Sequence, residues 1–276
     1  MTRLTDRLHA RYGAAPSLPA SPAPESALPV LEHLLAHRSV RHFTDAPLAA
    51  GTLETLVAAA QSAASSSNLQ TWSVVAVTDP QRKAHLAQWA AAQAHIRQVP
   101  LFLVWLADLS RLERVARERG AQAGATRYFE MFLTAAIDAT LAAQNAVLAA
   151  EAMGLGTVYI GAIRNRPEEV AAELKLPPLV FPVFGLCVGH PDPAQPAGVK
   201  PRLAQTAIVH REQYDAGAEA DAVRSYDEVI QAFQRDQRMA PVPWSQQSSQ
   251  RVAGPESLSG RHRLAEAIRA RGFGLE

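Results

Sequence analysis

Polar residues interrupt this otherwise apolar chain in four short clusters whose side chains could bind an anion. The clusters are HRSVR at 37–41, SSSN at 65–68, Gln93, and KPR at 200–202. Two clusters supply guanidinium and ammonium groups and one supplies hydroxyls, and these are the groups that bind a phosphate monoester. A single arginine or lysine is more often a solvated surface residue. Most of these residues, however, fall at predicted helix ends or in proline-bounded loops, where proteins usually bind ligands.

Length, charge and cysteine content exclude several classes of protein. The chain has 276 residues, 48% of them hydrophobic, which is enough for one large domain or two small ones. Its formal net charge of +1 provides no overall field that would attract nucleic acid or an anionic membrane. The single cysteine, Cys187, excludes an internal disulfide and a thiolate metal cluster, and it fits a buried apolar strand.

The amino terminus and the histidines point to an intracellular protein without a metal. The first residues lack the apolar segment of a signal peptide. None of the nine histidines belongs to a metal-binding pattern such as HExxH. We therefore predict a cytoplasmic enzyme or binding protein with no metal site.

The longest predicted element is a helix at 129–153, which is rich in Ala and Leu and apolar on every face. Such a helix lies either in a large core or in a membrane. Charged and amide side chains interrupt it too often for a membrane span, namely Asp138, Gln144, Asn145 and Glu151. We therefore predict a central helix enclosed by the rest of the protein or by a partner subunit.

Glycines follow this helix in the segment GLGTVYIG at 154–161. The first two resemble the start of a dinucleotide fingerprint, but that fingerprint follows a strand and opens a helix. Here the order is reversed, and Tyr159 stands where the third glycine should be. We therefore interpret the two glycines as a helix end and a turn before a strand at 157–160. Gly161, at the end of that strand, could let backbone approach a ligand closely.

Helices and strands mix without a regular repeat along the rest of the chain, which predicts an α+β layer structure. Further helices are predicted at 1–12, 28–35 running into 37–43, 52–64, 80–93, 108–119, 167–174, 219–235 and 262–271, and the helix at 80–93 carries Trp89 and Gln93. Further strands are predicted at 72–78, 101–107, 180–188 and 206–210.

The two ends of the chain differ from its middle. Residues 14–29 hold five prolines among alanines and serines, which predicts an extended linker within a flexible arm at 1–29. The tail beyond residue 212 has too few apolar residues for a core of its own. We expect it to pack on another surface, such as that of a second subunit.

Several segments, taken in order, resemble the nitroreductase family, and most closely its oxygen-insensitive, NADPH-dependent nitroreductase and flavin reductase branch. They are HRSVRHFTDAPL, ASSSNLQ, AAQNAVLAAEAMGLGTVYIGAIRN, LPPLVFPVFGLCVGHP and KPRL, within residues 30 to 245. The resemblance implies a mixed, mostly antiparallel sheet flanked by helices, in an intertwined homodimer with FMN at the subunit interface. It also implies an FMN-binding core at 30–211 and a helical extension at 212–276 that packs on the partner subunit.

The resemblance assigns contacts with FMN to particular residues. The first FMN-binding segment corresponds to His37, Arg38, Ser39 and Arg41. A serine segment that lies along the flavin, donated across the dimer, corresponds to Ser65, Ser66 and Ser67. A flavin-contacting glutamine corresponds to Gln93. The segment whose backbone faces the isoalloxazine ring corresponds to Tyr159, Ile160, Gly161 and Ala162. The phosphate clamp corresponds to Lys200 and Arg202.

Two positions depart from the branch pattern. Ala162 replaces a glycine, and a positive φ there would cost alanine about 1 kcal/mol or more. Asn68 stands where the relatives carry an apolar residue, which affects the expected substrate preference.

The branch also places a basic loop that reads the extra phosphate of NADPH after the helix at 219–235. Here that loop is RDQRMAPVPWS at 235–245. Arg235 matches the first phosphate-reading arginine, Ala240 stands at the second, and Arg238 is the nearest substitute. A solvated helix end, where basic residues interact well with the helix dipole, is the alternative.

The function that the resemblance implies is reduction of nitroaromatics, quinones or related acceptors by NAD(P)H. FMN would carry the two-electron chemistry in a ping-pong cycle, and the protein would bind and tune it. A backbone N–H near Gly161 would bond to flavin nitrogen 5, and Arg41 would stabilise negative charge at the pyrimidine end. One alternative is a flavin reductase that supplies reduced flavin to another enzyme. A second, of a different class, is a non-catalytic FMN-binding protein.

Overall fold

The structure, a computed structural model, describes residues 3–13 and 25–276. The chain forms a smaller unit of Met1–Arg38 with Ala197–Leu258, and a larger unit of Ser39–Pro196 with Ser259–Glu276. Residues 14–24 of the predicted linker lie outside the described residues. The rest of that segment is a 3-10 turn at Glu25–Ala27 and the start of a helix, with Pro29 in its first turn.

Four strands form the sheet of the larger unit. They are β1 (Trp72–Val77), β2 (Leu101–Asp108), β3 (Gly156–Ile160) and β4 (Val180–Gly189), in the spatial order β1-β2-β4-β3. Every neighbouring pair is antiparallel, and a parallel bridge joins Ser39 to Thr157. The predicted α+β class and the mostly antiparallel sheet are therefore confirmed.

The two middle strands are buried on both faces. All eight residues of β2 are buried, and so are nine of the ten residues of β4. Pro182 in β4 lies opposite Leu106 at a register shift between Trp105 and Leu106 of β2, and a strand tolerates proline at such an irregularity. The continuous apolar runs that predicted these strands reflect burial on both faces.

The strand predicted at 206–210 is wrong. Gln205–Ala207 is a 3-10 turn, and the side chains of Ile208 and Val209 are 63% and 57% exposed. The prediction used the β propensity of an Ala-Ile-Val run. That propensity stabilises a strand only where a neighbouring strand and a packed face exist.

The described residues form the following α-helices. In the smaller unit these are α1 (Arg3–Tyr12), α2 (Leu28–Leu35), α9 (Glu219–Asp236) and α10 (Trp244–Arg251). In the larger unit they are α3 (Thr52–Gln61), α4 (Pro80–Trp89), α5 (Ala94–Gln98), α6 (Ser110–Glu118), α7 (Phe129–Ala152), α8 (Pro167–Glu173) and α11 (Leu264–Ala270). Neither α5 nor α10 was predicted from the sequence.

Two predicted helix ends are wrong. The helix α2 stops at Leu35, before the segment 37–43. The helix α4 stops at Trp89 and does not carry Gln93, because Ala91 and Ala92 adopt positive φ angles of 61° and 54°. Its start is as predicted, since the Asp79 carboxylate accepts a hydrogen bond from Arg82 N at 2.7 Å.

The helix α7 is central to the larger unit, but only part of its surface is covered there. By length and composition alone it could span a membrane. Its small alanines instead pack closely on the sheet, where Ala142, Ala143 and Ala146 join a core that includes Trp105 and Leu186. Its opposite side exposes large apolar residues, namely Phe129, Leu133, Ile137 and Leu141.

The C-terminal residues pack in the larger unit. Ala267 and Ile268 of α11, with Phe273, join a buried cluster with Ala135 and Phe181. The C-terminal segment 259–276 therefore completes the core of the larger unit.

Candidate functional site

The segment after α2 is fastened along the edge strand β3. Val40 N donates to Thr157 O at 2.8 Å, and Ser39 forms a bridge with Thr157. The Val40 side chain is buried, whereas Ser39 and Arg41 are exposed. Successive side chains of an extended segment point to opposite sides, so Ser39 and Arg41 point away from the core that buries Val40.

The two glycines that follow α7, Gly154 and Gly156, have different roles. Gly154 has φ of +78° and ends α7, as predicted. Gly156 is not a turn residue but the first residue of β3. A Cβ placed there would lie 2.8 Å from the Val40 side chain, so the glycine lets the segment at 39–41 approach the strand.

The end of β3 combines a tethered tyrosine with a glycine. Tyr159 donates its hydroxyl proton to Gln144 Oε1 at 3.3 Å, and its ring meets Phe184 edge to face at 5.2 Å between centroids. Burial, and then the charge of Glu151, raises the pKa of the Tyr159 phenol. Gly161 follows directly and opens a 3-10 turn, Gly161–Asn165.

Two arginines that the sequence analysis missed lie beside Gly161. A Cβ placed at Gly161 would be 3.4 Å from Arg164 Nη2 and 3.8 Å from Arg261 Nη1. Burial, and then the neighbouring charge of Arg261, lowers the pKa of the Arg164 guanidinium, which donates to Val183 O. The next residue, Ala162, does not have a positive φ, so the strain considered for it does not arise.

The serine cluster is held by one buried carboxylate. Asp138 of α7 is 1% exposed. Its Oδ2 accepts from Ser65 Oγ at 2.7 Å, from Thr71 N at 3.1 Å and from Thr71 Oγ1 at 2.9 Å, and its Oδ1 accepts from Ser66 N at 3.1 Å. The carboxylate that interrupts the apolar helix therefore serves to anchor the loop at 65–71.

This loop has an unusual backbone. Ser67, Asn68 and Gln70 adopt positive φ angles of 48°, 55° and 51°. Non-glycine residues in this region cost roughly 1–3 kcal/mol each, and such strain often occurs at functional sites. The four hydrogen bonds to Asp138 offset part of that cost, and they leave Ser66 and Ser67 exposed.

Gln93 contacts a histidine, His95, that interacts electrostatically with Arg41. Its Oε1 is 3.1 Å from His95 Nε2. Burial lowers the pKa of His95, and its electrostatic interactions with Arg41 and then with His42 lower it further. His95 thus contacts Gln93 and lies within electrostatic reach of Arg41, and both belong to the predicted site.

The smaller unit brings the other cationic segments together. The guanidinium of Arg11 in α1 donates to Leu35 O at 2.8 Å, to His37 O at 2.9 Å and to Lys200 O at 2.8 Å. Both Lys200 and Arg202 are exposed. Arg11 is not recognisable from the sequence, because no spacing or motif distinguishes it from the neighbouring basic residues of α1.

The loop after α9 is tied back to that helix. Buried Gln234 accepts from Val242 N at 2.7 Å through its Oε1, and the Asp227 carboxylate accepts from Ser245 N at 2.8 Å. Arg235 lies in the last turn of α9, and Arg238 has φ of 55°; both side chains are exposed. The loop therefore presents both predicted NADPH-reading arginines to solvent.

Comparison with known proteins matches nearly all of this fold. The model of the nitroreductase family matches residues 34–190, and that of the nitroreductase family C-terminal domain matches residues 200–276. An FMN reductase (NADPH) of Bacillus subtilis is 41% identical over 209 residues, which cover 75% of this chain and 83% of the relative. An oxygen-insensitive NADPH nitroreductase of Salmonella typhimurium is 41% identical over 205 residues, covering 74% and 82%.

Solved structures agree with the sequence relatives. The NADPH:FMN oxidoreductase of Vibrio harveyi complexed with NAD+ aligns with a TM-score of 0.79 at 36% identity, covering 89% of this chain and 99% of that chain. The NfrA1 nitroreductase of B. subtilis aligns with a TM-score of 0.83 at 37% identity, covering 89% and 99%.

Proposed function

This chain belongs to the nitroreductase family, and from that premise we propose that it is an FMN-dependent oxidoreductase that takes electrons from NAD(P)H. Its acceptors would be nitroaromatics, quinones or related compounds, reduced by two electrons in a ping-pong cycle. The observation that supports this best is the end of β3, where Gly161 stands beside two guanidinium groups. Gly161 is half-buried and has no side chain to block a ring, and the two guanidinium groups supply positive charge for an electron-rich ring.

The groups on the two units fit the chemistry of FMN. In the smaller unit, exposed Lys200 and Arg202 suit a phosphate dianion, since guanidinium forks and ammonium groups bind phosphate oxygens. In the larger unit, exposed Ser66 and Ser67 offer hydroxyls for a polar ring edge. We propose these residues, with the others that the resemblance assigns from His37 to Arg202, as the FMN-binding set.

When bound, FMN supplies the hydride chemistry. The residues of the chain bind it, orient it and tune its charge. The backbone at Gly161 is proposed to donate a hydrogen bond to the ring. Arg41, whose positive charge helps to lower the pKa of His95, is proposed to stabilise negative charge on the pyrimidine end of the flavin.

The test of this function is optical. Purified protein should be yellow and should bleach when NADPH is added without air, and the colour should return with a nitroaromatic or a quinone. A colourless protein that binds no added FMN would contradict the whole proposal. A yellow protein that NADPH does not bleach would instead favour the non-catalytic flavin-binding alternative.

A flavin reductase that supplies reduced flavin to another enzyme is a second candidate. It is favoured by the relative named FMN reductase (NADPH), which is as similar to this chain as the relative named nitroreductase. Steady-state rates with free FMN and with nitroaromatic acceptors distinguish the two. The natural acceptor should give the higher kcat/KM.

We also propose that the chain is a cytoplasmic homodimer, with an arm at 1–29, an FMN-binding core at 30–211 and an extension at 212–276. The observation that supports the dimer is the stripe of apolar residues on α7. Phe129, Leu133, Ile137 and Leu141 recur every fourth position, which places them on one face of the helix. They are 42–49% exposed, and a row of large apolar side chains in water typically marks a protein interface.

A charge in this stripe should break the dimer. Wild-type protein should scatter light with twice the 29.7 kDa chain mass at micromolar concentration. Ile137→Glu should shift the mass toward that of one chain, because a carboxylate would be buried in the interface without a partner. The matched control is Val115→Glu on α6, which is equally exposed at 49%. A wild-type monomer, or a dimer that tolerates Ile137→Glu, would contradict the proposal.

The loop at 235–245 leads us to propose a preference for NADPH over NADH. Arg235→Ala should raise KM for NADPH several-fold and leave kcat/KM for NADH nearly unchanged, because NADH carries no phosphate to lose a contact there. The control is Arg224→Ala on the same helix, whose exposed guanidinium pairs with Asp221. If Arg235→Ala lowered kcat/KM equally for both cofactors, or for neither, the recognition site would lie elsewhere.

A further inference from the structure

The helix α1 precedes both segments that match the family, 34–190 and 200–276. It nevertheless contains a buried arginine, Arg11, whose residue exposure is 6%. Its guanidinium donates to three main-chain carbonyls, at Leu35, His37 and Lys200. One side chain thus joins two segments, 35–37 and 200–202, that are far apart in the sequence.

The contact is reciprocal, because the main chain of the same residue holds the next part of the loop. Arg202 N donates to Arg11 O at 2.8 Å. Between the two cations, Pro201 O accepts from the hydroxyl of buried Tyr226 at 2.8 Å. The backbone of Lys200-Pro201-Arg202 is therefore fixed at each of its three residues by Arg11 or Tyr226.

We propose that Arg11 is a positioning residue for the phosphate of FMN. Through Arg11, α1 would contribute to flavin binding in this chain. The inference rests on the proposed function, since it assumes that Lys200 and Arg202 bind that phosphate. Arg11 itself holds carbonyls, and it acts by fixing where the two exposed cations project. Its buried positive charge also favours a dianion close by.

This role requires a guanidinium. Three carbonyls in different directions need a planar group with several N–H donors, which lysine cannot supply in a fixed geometry. Loss of the guanidinium frees the backbone of the phosphate-binding loop. Of the residues proposed for the ring, Ser66, Ser67 and Gly161 belong to other segments, and Arg41 follows Val40, whose N–H is held by Thr157 O of β3. The consequence is selective: affinity for the phosphate part of the cofactor falls, and affinity for the ring part does not.

Riboflavin, which has the ring and lacks the phosphate, provides the discriminating probe. The experiment measures Kd for FMN and for riboflavin with apo full-length wild type, Arg11→Gln, Arg11→Lys and a matched control, Arg7→Gln. Arg7 lies on the same helix and is exposed. We expect Arg11→Gln to weaken FMN binding tenfold or more and riboflavin binding less than twofold, with Arg11→Lys intermediate and Arg7→Gln unchanged.

The outcomes separate this inference from the proposed function. A wild type that binds neither flavin would overturn the proposed function, and the inference with it. A wild type that prefers FMN, with the same ratio of the two Kd values in Arg11→Gln, would overturn the inference alone. Equal weakening of both flavins would show a merely structural role and would also overturn it. If Arg11→Gln does not fold, the ratio in Arg11→Lys decides by the same criterion.

Discussion

Arg202→Ala is expected to weaken FMN binding by about ten- to a hundredfold, because a charge-assisted hydrogen bond contributes about 1.5–3 kcal/mol. The loop already orients this side chain. Arg202 Nη1 donates to Lys200 O at 3.0 Å and to Pro201 O at 3.1 Å. A guanidinium has five N–H donors, so the remaining ones can bind phosphate oxygens while Nη1 braces the loop.

Quenching of flavin fluorescence on titration of the apoprotein measures this effect. The control is Arg211→Ala, an exposed arginine of the same unit. It should leave the Kd for FMN unchanged and thereby exclude a general effect of net charge. The conservative variant Arg202→Lys should recover part of the affinity, since it keeps the charge and loses the fork. An FMN affinity equal to that of wild type in Arg202→Ala would remove Arg202 from the phosphate clamp.

The sequence predicted correctly those elements whose local residue pattern favours the same structure as their surroundings in the fold. The runs at 101–107 and 180–188 are continuously apolar and form strands buried on both faces. The Asp79-Pro80 pair carries its own cap and started a helix as predicted. The strand predicted at 206–210 failed because β propensity does not create a neighbouring strand.

The candidate site was predictable only in part, for a related reason. Motif residues such as Lys200 and Arg202 are recognisable in the sequence because a single proline separates them. The residues that support them act over long separations: Arg11 reaches Lys200 across 189 positions, and Asp138 reaches Ser65 across 73. No periodicity or motif connects such pairs. A charged residue in an otherwise apolar helix was a signal for Asp138, but it told us only that the helix was not a membrane span.

Asp138→Ala is expected to lower both the stability of the fold and its affinity for FMN. The substitution removes the acceptor of four hydrogen bonds, and two of the donors are backbone N–H groups, at Ser66 and Thr71. The two donors of Thr71 are buried, and each buried donor left without an acceptor costs about 1–3 kcal/mol, so we expect a loss of about 2–4 kcal/mol in the free energy of unfolding. The strained backbone at Ser67 and Asn68 then has less to hold it.

Affinity should fall because a released loop must be ordered again when the flavin binds. Fixing each backbone residue costs roughly 1–2 kcal/mol, so two residues suffice for a loss of tenfold or more. The matched control is Val147→Ala, a fully buried residue of the same helix that packs in the sheet core. Truncation there should cost about 1–3 kcal/mol of stability and change the Kd for FMN less than twofold.

Urea denaturation and flavin titration, applied to both variants, separate stability from positioning. If Val147→Ala weakened FMN binding as much as Asp138→Ala at equal loss of stability, the affinity change would reflect a general loosening. If Asp138→Ala bound FMN as wild type does, the serine loop would not contribute to the flavin site. The result we expect is two variants that are similar in stability and at least tenfold apart in affinity, because Asp138, unlike Val147, holds Ser65 and Ser66 in place.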